Sequence, residues 1–503
     1  MKHILLIISI TLLAALLRFY QLGSNPPSLD WDEVSLAYNA YSIIRTGADE
    51  YGNTFPLLSI RSFNDYKPPM YVYSLIPSLL LFGKTDFAIR FPSALAGTLT
   101  VLVTYFLAKE LFKNTKIAVL SALLLAISPW HLQFSRIAFE ANLALFFFVA
   151  GMWLLVKALT RPAFLPLAAA TLGLAVFAYH SLRLIVPLLV LIVIIPRLSW
   201  LKANFKHTLA AGFIALIFVT LLLRVISQGA GQARLKTVSF LTIPNLLAKQ
   251  QGIINHRYLI YLRQFMIGYT DHFNANFWFI DGDGNPRHHA NGFGLLYLIE
   301  APFLIIGIVQ LIRHYRPIAA ILLPWFLLAP VASSITSGTP SAVRSLFFLP
   351  TFQIFTALGL VRLRKLFAIS YVLLAVISFA GYLDLYYHHT PTETSQGWQY
   401  GYKQMVQQVM SSKDNYDKII ITTEYDQPYI YFLWYGNYDP KIWVNDGEFA
   451  KHFDKFEFRS IAEGDLTINN ALLVGSPKEI KIPNSLWQIN FLDGTPAFVA
   501  VAI

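Results

Sequence analysis

Long apolar runs separated by short charged loops dominate the first 385 residues. A helix of ~20 apolar residues crosses a ~30 Å hydrocarbon core, so the pattern predicts about eleven spans. They fall near residues 3–19, 91–109, 116–130, 141–158, 163–179, 182–196, 208–226, 294–312, 316–333, 344–361 and 365–385. The run 70–82, between Lys67-Pro68-Pro69 and Gly83-Lys84, has the length of a re-entrant or interfacial helix. With that run outside the count and the N-terminus inside, five basic loops face the cytoplasm: Lys109, Lys113 and Lys116; Lys157 and Arg161; Arg197, Lys202 and Lys206; Arg313 and Arg316; Arg362, Arg364 and Lys365. This obeys the positive-inside rule, and counting 70–82 as a span would invert all five unless the N-terminus also flipped. Lys2 and the apolar run 4–17 resemble a secretion signal, yet no small-x-small cleavage site follows and Arg18-Phe19-Tyr20 reads as an interfacial end. The first span is therefore expected to be retained.

This topology puts residues 20–90, the loops near 131–140, 180, 227–293 and 334–343, and the tail 386–503 on one outer face. The first outer loop contains helical patches such as 34–41, ending before Thr46-Gly47, and is expected to lie along the membrane surface. The tail changes character. Residues 418–423, 441–444, 471–474 and 497–501 read as strands and 429–434 as a helix or strand. A small α/β domain outside the membrane is expected over 386–503, following a membrane domain over 1–385. The fold class is mainly α, a polytopic membrane protein with juxtamembrane helices in its first outer loop.

Composition agrees: 55% of the 503 residues are hydrophobic and only 13% charged, far below the roughly 25% charged of a soluble domain. The net charge of +11 resides in the short loops, where it sets topology, and no basic cluster interleaved with aromatics suggests nucleic acid. Without a single cysteine, disulfides, thiolate zinc sites and cysteine nucleophiles are excluded.

Chemistry concentrates on the outer face. Ser28-Leu29-Asp30-Trp31-Asp32-Glu33 places three carboxylates just beyond the first span. Acids favour a helix N-terminus, so capping is one reading and a general base held at the membrane face is the other. Adjacent Asp32 and Glu33 point about 100° apart on a helix, so one does chemistry while the other orients. Asp65-Tyr66-Lys67-Pro68-Pro69 sets Lys67 at the mouth of the short helix, since Pro68 keeps its predecessor out of the helical region. A lysine beside a helix N-terminus suits an anion. Arg90, Arg136, Arg183 and Arg344 stand at outer ends of spans, against the positive-inside bias, with His131 and His180 nearby in sequence. Arginine matches phosphate through its planar fork, and together these cations favour a lipid-phosphate site. Asp281-Gly282-Asp283-Gly284 lacks the downstream glutamate of a calcium loop, and the adjacent pairs His288-His289 and His388-His389 lack metal-ligand spacing. No metal site is assigned.

The acidic pair after the first span, the Lys67-Pro68-Pro69 element with Tyr71 and Tyr73, Arg90-Phe91-Pro92-Ser93-Ala94, Trp130-His131 and His180-Ser181-x-Arg183 resemble the GT-C glycosyltransferases of the protein O-mannosyltransferase and aminoarabinose lipid A transferase superfamily, glycosyltransferase family 39. The resemblance is strongest over residues 1–200 and has no motif in the tail. It implies a multi-span helical bundle that passes a sugar from a polyprenyl-phosphate carrier to an acceptor on the outer side. It also implies Asp32 as the catalytic acid residue of the family with Glu33 as its companion, and Lys67 as a holder of the carrier phosphate. Met70-Tyr71-Val72-Tyr73 stands where aminoarabinose transferases tend to show Leu-x-Tyr-Trp, and the span count is lower, so a lipid A acceptor does not follow.

The chemistry is consistent with this. A glycosyl phosphate already carries a stable leaving group, so no general acid is required, unlike the carboxylate pair of glycosidases. One base for the acceptor proton and cations for the departing phosphate suffice. The expectation is an inverting glycosyltransferase in the plasma membrane, with Asp32 and Glu33 catalytic. Lys67, Arg90, Arg136, Arg183 and Arg344 are the donor-phosphate set, and Asp30, Asp65, Tyr66, His131 and His180 are near substrate. The expected partners are a polyprenyl-phosphate sugar donor, membrane lipids and a protein, lipid or glycan acceptor. No cofactor is required, with a divalent cation as an option. The rivals are a lipid-linked saccharide flippase, which would carry repeated halves and mid-membrane charges, and an inactive relative that binds a partner through its tail.

Overall fold

The computed structural model describes residues 2–63, 65–227, 239–242, 256–443, 452–481 and 485–503. Residues 228–238 and 243–255 of the predicted outer loop, and Val444 of a predicted strand, lie outside them. The chain divides into two compact units, one of Met1–Tyr20, Leu58–Tyr71 and Phe91–Leu383, the other of Gln21–Leu57, Val72–Arg90 and Asp384–Ile503. Two stretches of the first long polar loop, Gln21–Leu57 and Val72–Arg90, thus group with the tail.

Among the described residues six helices are long and apolar enough to cross a membrane: Asp86–Phe112, Glu140–Ala158, Leu182–Ala203, Phe205–Ser227, Arg316–Ser334 and Leu366–Glu393. The pair Thr115–Ile127 and Pro129–Ser135, bent by 59°, makes a seventh if it is one broken span. Ser128 and Pro129 explain the break, because proline disfavours helical geometry in the residue before it. His3–Phe19, Met70–Phe82, Pro162–Ala178 and Leu346–Leu360 are apolar but shorter. The chain is a multi-pass membrane protein.

In the larger unit, helices Ala301–His314 and Thr351–Leu360 approach through reciprocal glycines. A Cβ on Gly307 would lie 1.8 Å from the Phe355 carbonyl oxygen, and one on Gly359 2.2 Å from that of Phe303, so only glycine lets these backbones meet. The same unit holds a hairpin absent from the sequence reading, β1 (Ile60–Ser62) against β2 (Asp65–Lys67), with Ile60 opposite Lys67 and Arg61 opposite Tyr66. Three-residue strands are too short to show a period of two.

The other unit is built on a six-stranded sheet of β3 (Lys418–Ile421), β4 (His452–Phe453), β5 (Phe456–Phe458), β6 (Ala471–Gly475), β7 (Trp487–Asn490) and β8 (Pro496–Ala502), in the order β4-β5-β3-β6-β8-β7. β3 runs parallel to β5 and β6, while β4, β7 and β8 pair antiparallel. Central β6 is buried throughout, which accounts for its unbroken apolar sequence, whereas edge strand β7 alternates between half-buried and exposed positions. Ile420, Leu473, Val499 and Val501 fill a core cluster with Ile480. Helix Pro428–Tyr435 packs near β5, its Phe432 ring 4.9 Å from Phe456 and 5.4 Å from Phe458. Residues 441–443, expected in a strand, lie in helix Pro440–Trp443. Asp439 Oδ1 accepts from the Lys441 N–H at 3.0 Å, and the Asp-Pro start outweighs the β-branched residues that follow.

Candidate active site

Helix Trp31–Thr46 carries the acidic cluster. Asp30 is its N-cap: Asp30 Oδ1 accepts from the Glu33 N–H at 2.8 Å, and Glu33 Oε2 accepts from the Asp30 N–H at 3.3 Å, a reciprocal capping box. Gly47, at φ 76°, ends the helix in the left-handed conformation that glycine adopts without strain. Asp30 and Glu33 are completely buried, while Asp32 is only half-buried. Geometry therefore sorts three carboxylates that look alike in sequence. One caps, one is sealed inside, and Asp32 retains access to solvent.

Glu33 meets Arg90, which is itself buried. Arg90 Nε donates to Glu33 Oε1 at 3.0 Å and Nη2 to Oε2 at 3.0 Å. Nη1 donates to the Leu22 and Pro26 carbonyls at 3.3 and 2.7 Å, and Nη2 to that of Ser28 at 2.5 Å. The guanidinium also lies 5.9 Å from the Trp398 ring centroid. All five N–H groups that a guanidinium offers are engaged. This corrects the placement of Arg90 in the donor-phosphate set: its fork is filled by the chain that leads into the acidic helix. The Asp30 carboxylate is likewise engaged, as the cap of the acidic helix.

The remaining cations and their neighbours belong to the other unit. Lys67, nearly buried, ends β2. The preceding Tyr66 carbonyl lies 3.1 Å from His180 Nε2, so the Lys67 element and the His180-Ser181-x-Arg183 element, far apart in sequence, are brought together. Asp65 Oδ1 accepts from the Tyr66 N–H at 2.8 Å. Arg183 sits in the first turn of helix Leu182–Ile194. Arg344 donates through Nη1 to Thr336 Oγ1 at 2.7 Å and to the Ser337 carbonyl at 2.8 Å.

Arg136 is buried and donates to the Leu17 and Arg18 carbonyls at 2.8 and 3.2 Å, at the C-terminal end of the first helix. Arg18, read in sequence only as an interfacial end, proves to be a buried counterpart. It donates to the carbonyls of Ala14, Ala126 and Leu125 at 3.1, 3.1 and 3.3 Å and to His131 Nδ1 at 2.7 Å. Two arginines thus neutralise the negative ends of two helices. His131 is fully buried against Arg18.

The segment that bears Arg344 is clasped to residues 272–288 before it. His272 Nδ1 donates to the Gly268 carbonyl at 2.6 Å, so Nε2 is an acceptor, taking the Ser341 N–H at 3.1 Å and the Ser333 hydroxyl at 2.8 Å. Burial lowers His272 to a pKa of about 4. Asp283 Oδ2 accepts from the next amide, Ala342 N–H, at 2.7 Å and lies 2.6 Å from His288 Nδ1. Burial alone would raise the Asp283 carboxyl, but the His288 contact and the Ala342 and Asn285 amides outweigh it and hold it below its usual value. Trp130 Nε1 donates to the Ala342 carbonyl at 3.1 Å. Asp283 and His288 are thus engaged with each other and with backbone, and no group of three metal-ligating side chains occurs among the described residues.

Residues 66–223 match the family model of dolichyl-phosphate-mannose-protein mannosyltransferases, a stretch that includes Lys67, Arg136, His180 and Arg183. A provisionally named mannosyltransferase, YkcB of Bacillus subtilis (strain 168), is 33% identical over 104 residues, which are 21% of this chain and 14% of that protein. The chain therefore matches only a small part of that relative's length. Across almost the whole chain the fold is that of ArnT from Cupriavidus metallidurans, solved with undecaprenyl phosphate: TM-score 0.58, 14% identity, 99% of this chain and 97% of that one. The archaeal oligosaccharyltransferase AglB from Archaeoglobus fulgidus, solved with an inhibitory peptide and a dolichol-phosphate, gives TM-score 0.52 and 14% identity over 95% of this chain and 69% of that one. At 14% identity these two structures share the fold with this chain, and the mannosyltransferase family match is confined to residues 66–223.

Proposed function

We propose that this chain moves a sugar from a polyprenyl-phosphate-linked donor to an acceptor on the outer face of the membrane, inverting the anomeric centre, with Asp32 as base. The observation behind the choice of base is the division of labour on one helix. Asp30 caps it, Glu33 is sealed against Arg90, and Asp32 alone of the three is not buried. The reaction class is supported by the mannosyltransferase family match over 66–223 and by a fold shared with proteins solved with undecaprenyl phosphate and dolichol-phosphate.

In the proposed step Asp32 takes the acceptor proton as the acceptor oxygen attacks the anomeric carbon. The bond from that carbon to the phosphate oxygen breaks, and the polyprenyl phosphate leaves with its electron pair. General-base help of this kind contributes roughly 10²–10⁴-fold. Lys67, Arg183 and Arg344 are the cations assigned to the departing phosphate, an electrostatic task in which positioned charge acts most strongly away from water, while Arg136 holds the end of the first helix. Asp65, Tyr66 and His180 support Lys67. Glu33 and Arg90 set the start of the acidic helix. The chemistry calls for no cofactor, and a divalent cation on the donor phosphate is compatible with it.

The topology that goes with this reading has the N-terminus inside, about eleven crossings, and the sheet of residues 418–502 outside. Its support is the run of basic loops on one side, and a tag after Ile503 reachable from outside intact cells tests it. The reaction is tested by mass spectrometry of glycans and glycolipids from cells with and without the gene. A linkage missing in the deletion names donor and acceptor together, and identical profiles with identical transfer activity in membranes would remove the assignment.

A further inference from the structure

The tail has no recognisable motif, yet it reaches the first residue of the acidic helix. Trp31 is the first helical position, and its N–H is one of the donors that a helix start leaves without an internal partner. Gln399 Oε1 accepts it at 3.0 Å. Tyr431, fully buried on helix Pro428–Tyr435, sets its hydroxyl 2.8 Å from the same Gln399 Oε1 and 3.1 Å from the Leu29 carbonyl, two acceptors sharing one proton. Gln399 Nε2 donates to the Tyr425 carbonyl at 2.6 Å.

Each contact fixes the next. The Tyr425 carbonyl can only accept and the Trp31 N–H can only donate, so the Gln399 amide has a single workable orientation. The Tyr431 ring is itself held, stacked on Tyr402 at 4.1 Å and 7°, with the Tyr402 hydroxyl donating to the Asp426 carbonyl at 3.0 Å. Gln399 is buried and sits at φ 54°, a left-handed conformation uncommon outside glycine, asparagine and aspartate. Such strain persists only where its surroundings over-determine it.

We infer that Gln399 and Tyr431 are positioning residues for Asp32, completing from the tail the cap that Asp30 begins and fixing the helix start from which the Asp32 carboxylate projects. The inference rests on the assignment of Asp32 as base. It gives the tail a role in the transfer itself, beside any acceptor it recognises. A base must be held closely, because a misplacement of about 1 Å can lower a rate by two orders of magnitude.

The test uses the full-length protein in detergent with two variants, Gln399→Met and Tyr431→Phe, the second of which keeps the stack on Tyr402. Amide hydrogen exchange over residues 29–36 and over β3 and β6 is measured beside steady-state transfer. The expected result is faster exchange at Trp31 with β3 and β6 still protected, a kcat lowered roughly 10- to 100-fold, and an unchanged KM for the polyprenyl-phosphate sugar donor. Faster exchange at Trp31 with kcat within twofold of wild type would overturn the inference. So would a loss of kcat accompanied by equal loss of protection in β3 and β6, which is a general structural effect. If the wild-type protein transfers no sugar, the transferase reading falls, while unchanged exchange at Trp31 in both variants would separately refute the cap.

Discussion

Arg90 and Glu33 form a two-point ion pair, Nε to Oε1 and Nη2 to Oε2 both at 3.0 Å, with side chains 1% and 0% exposed. Fifty-seven positions separate them in sequence, so the pair ties the acidic helix to the segment 72–90 within one compact unit. Removing one partner leaves a buried charge, a loss of about 3–5 kcal/mol. Arg90→Met should therefore lower the thermal midpoint sharply. The double variant Arg90→Met, Glu33→Gln should recover part of the loss, read from melting of the detergent-solubilised protein.

Asp30 should matter as a cap and not as a reactive group. Asp30→Asn and Asp30→Ser keep an N-cap acceptor and should transfer sugar within a few-fold of wild type, whereas Asp30→Ala should cost about 1 kcal/mol of stability. Parallel assays of transfer and melting on the three variants check this.

How much of this was legible in the sequence differs between the two halves of the problem. Six of the expected spans, the short helix Met70–Phe82 and the acidic cluster could be read directly, because apolar runs and charged breaks are local. Sorting Asp30, Asp32 and Glu33 needed Arg90, whose fork is filled by Leu22, Pro26 and Ser28 carbonyls that no spacing reveals. Arg18 looked like an ordinary interfacial residue, and only the fold brings Leu125, Ala126 and His131 to it. Gln399 lies 368 positions from Trp31. The strand expected at Lys441 failed for a local reason, since the Asp439-Pro440 helix start was outweighed in the reading by the apolar residues after it.

Lys67 and Arg344 are assigned to the donor phosphate. A charge-assisted hydrogen bond contributes about 1.5–3 kcal/mol, so Lys67→Ala and Arg344→Ala should each weaken donor affinity roughly 10- to 100-fold. Binding of a polyprenyl phosphate without its sugar reads this without relying on turnover, and an unchanged affinity would remove the residue from the phosphate set.

The clasp on residues 341 and 342 should depend on pH through His272. Burial lowers its pKa from the usual 6.5 to about 4, so between these values the unfolded chain binds a proton that the folded chain refuses. Stability from this group is therefore fully present above about pH 6.5 and is lost as pH falls towards 4, about 3 kcal/mol in all. Melting from pH 7 to 4.5 should show this slope, and His272→Asn, without a group that titrates there, should flatten it.

The central claim is that Asp32 is the base. The most direct measurement is transfer and donor binding by Asp32→Asn side by side with wild type. The account predicts loss of transfer by roughly 10²–10⁴-fold with affinity for the polyprenyl-phosphate sugar unchanged, whereas an Asp32→Asn protein that transfers sugar at the wild-type rate would contradict it.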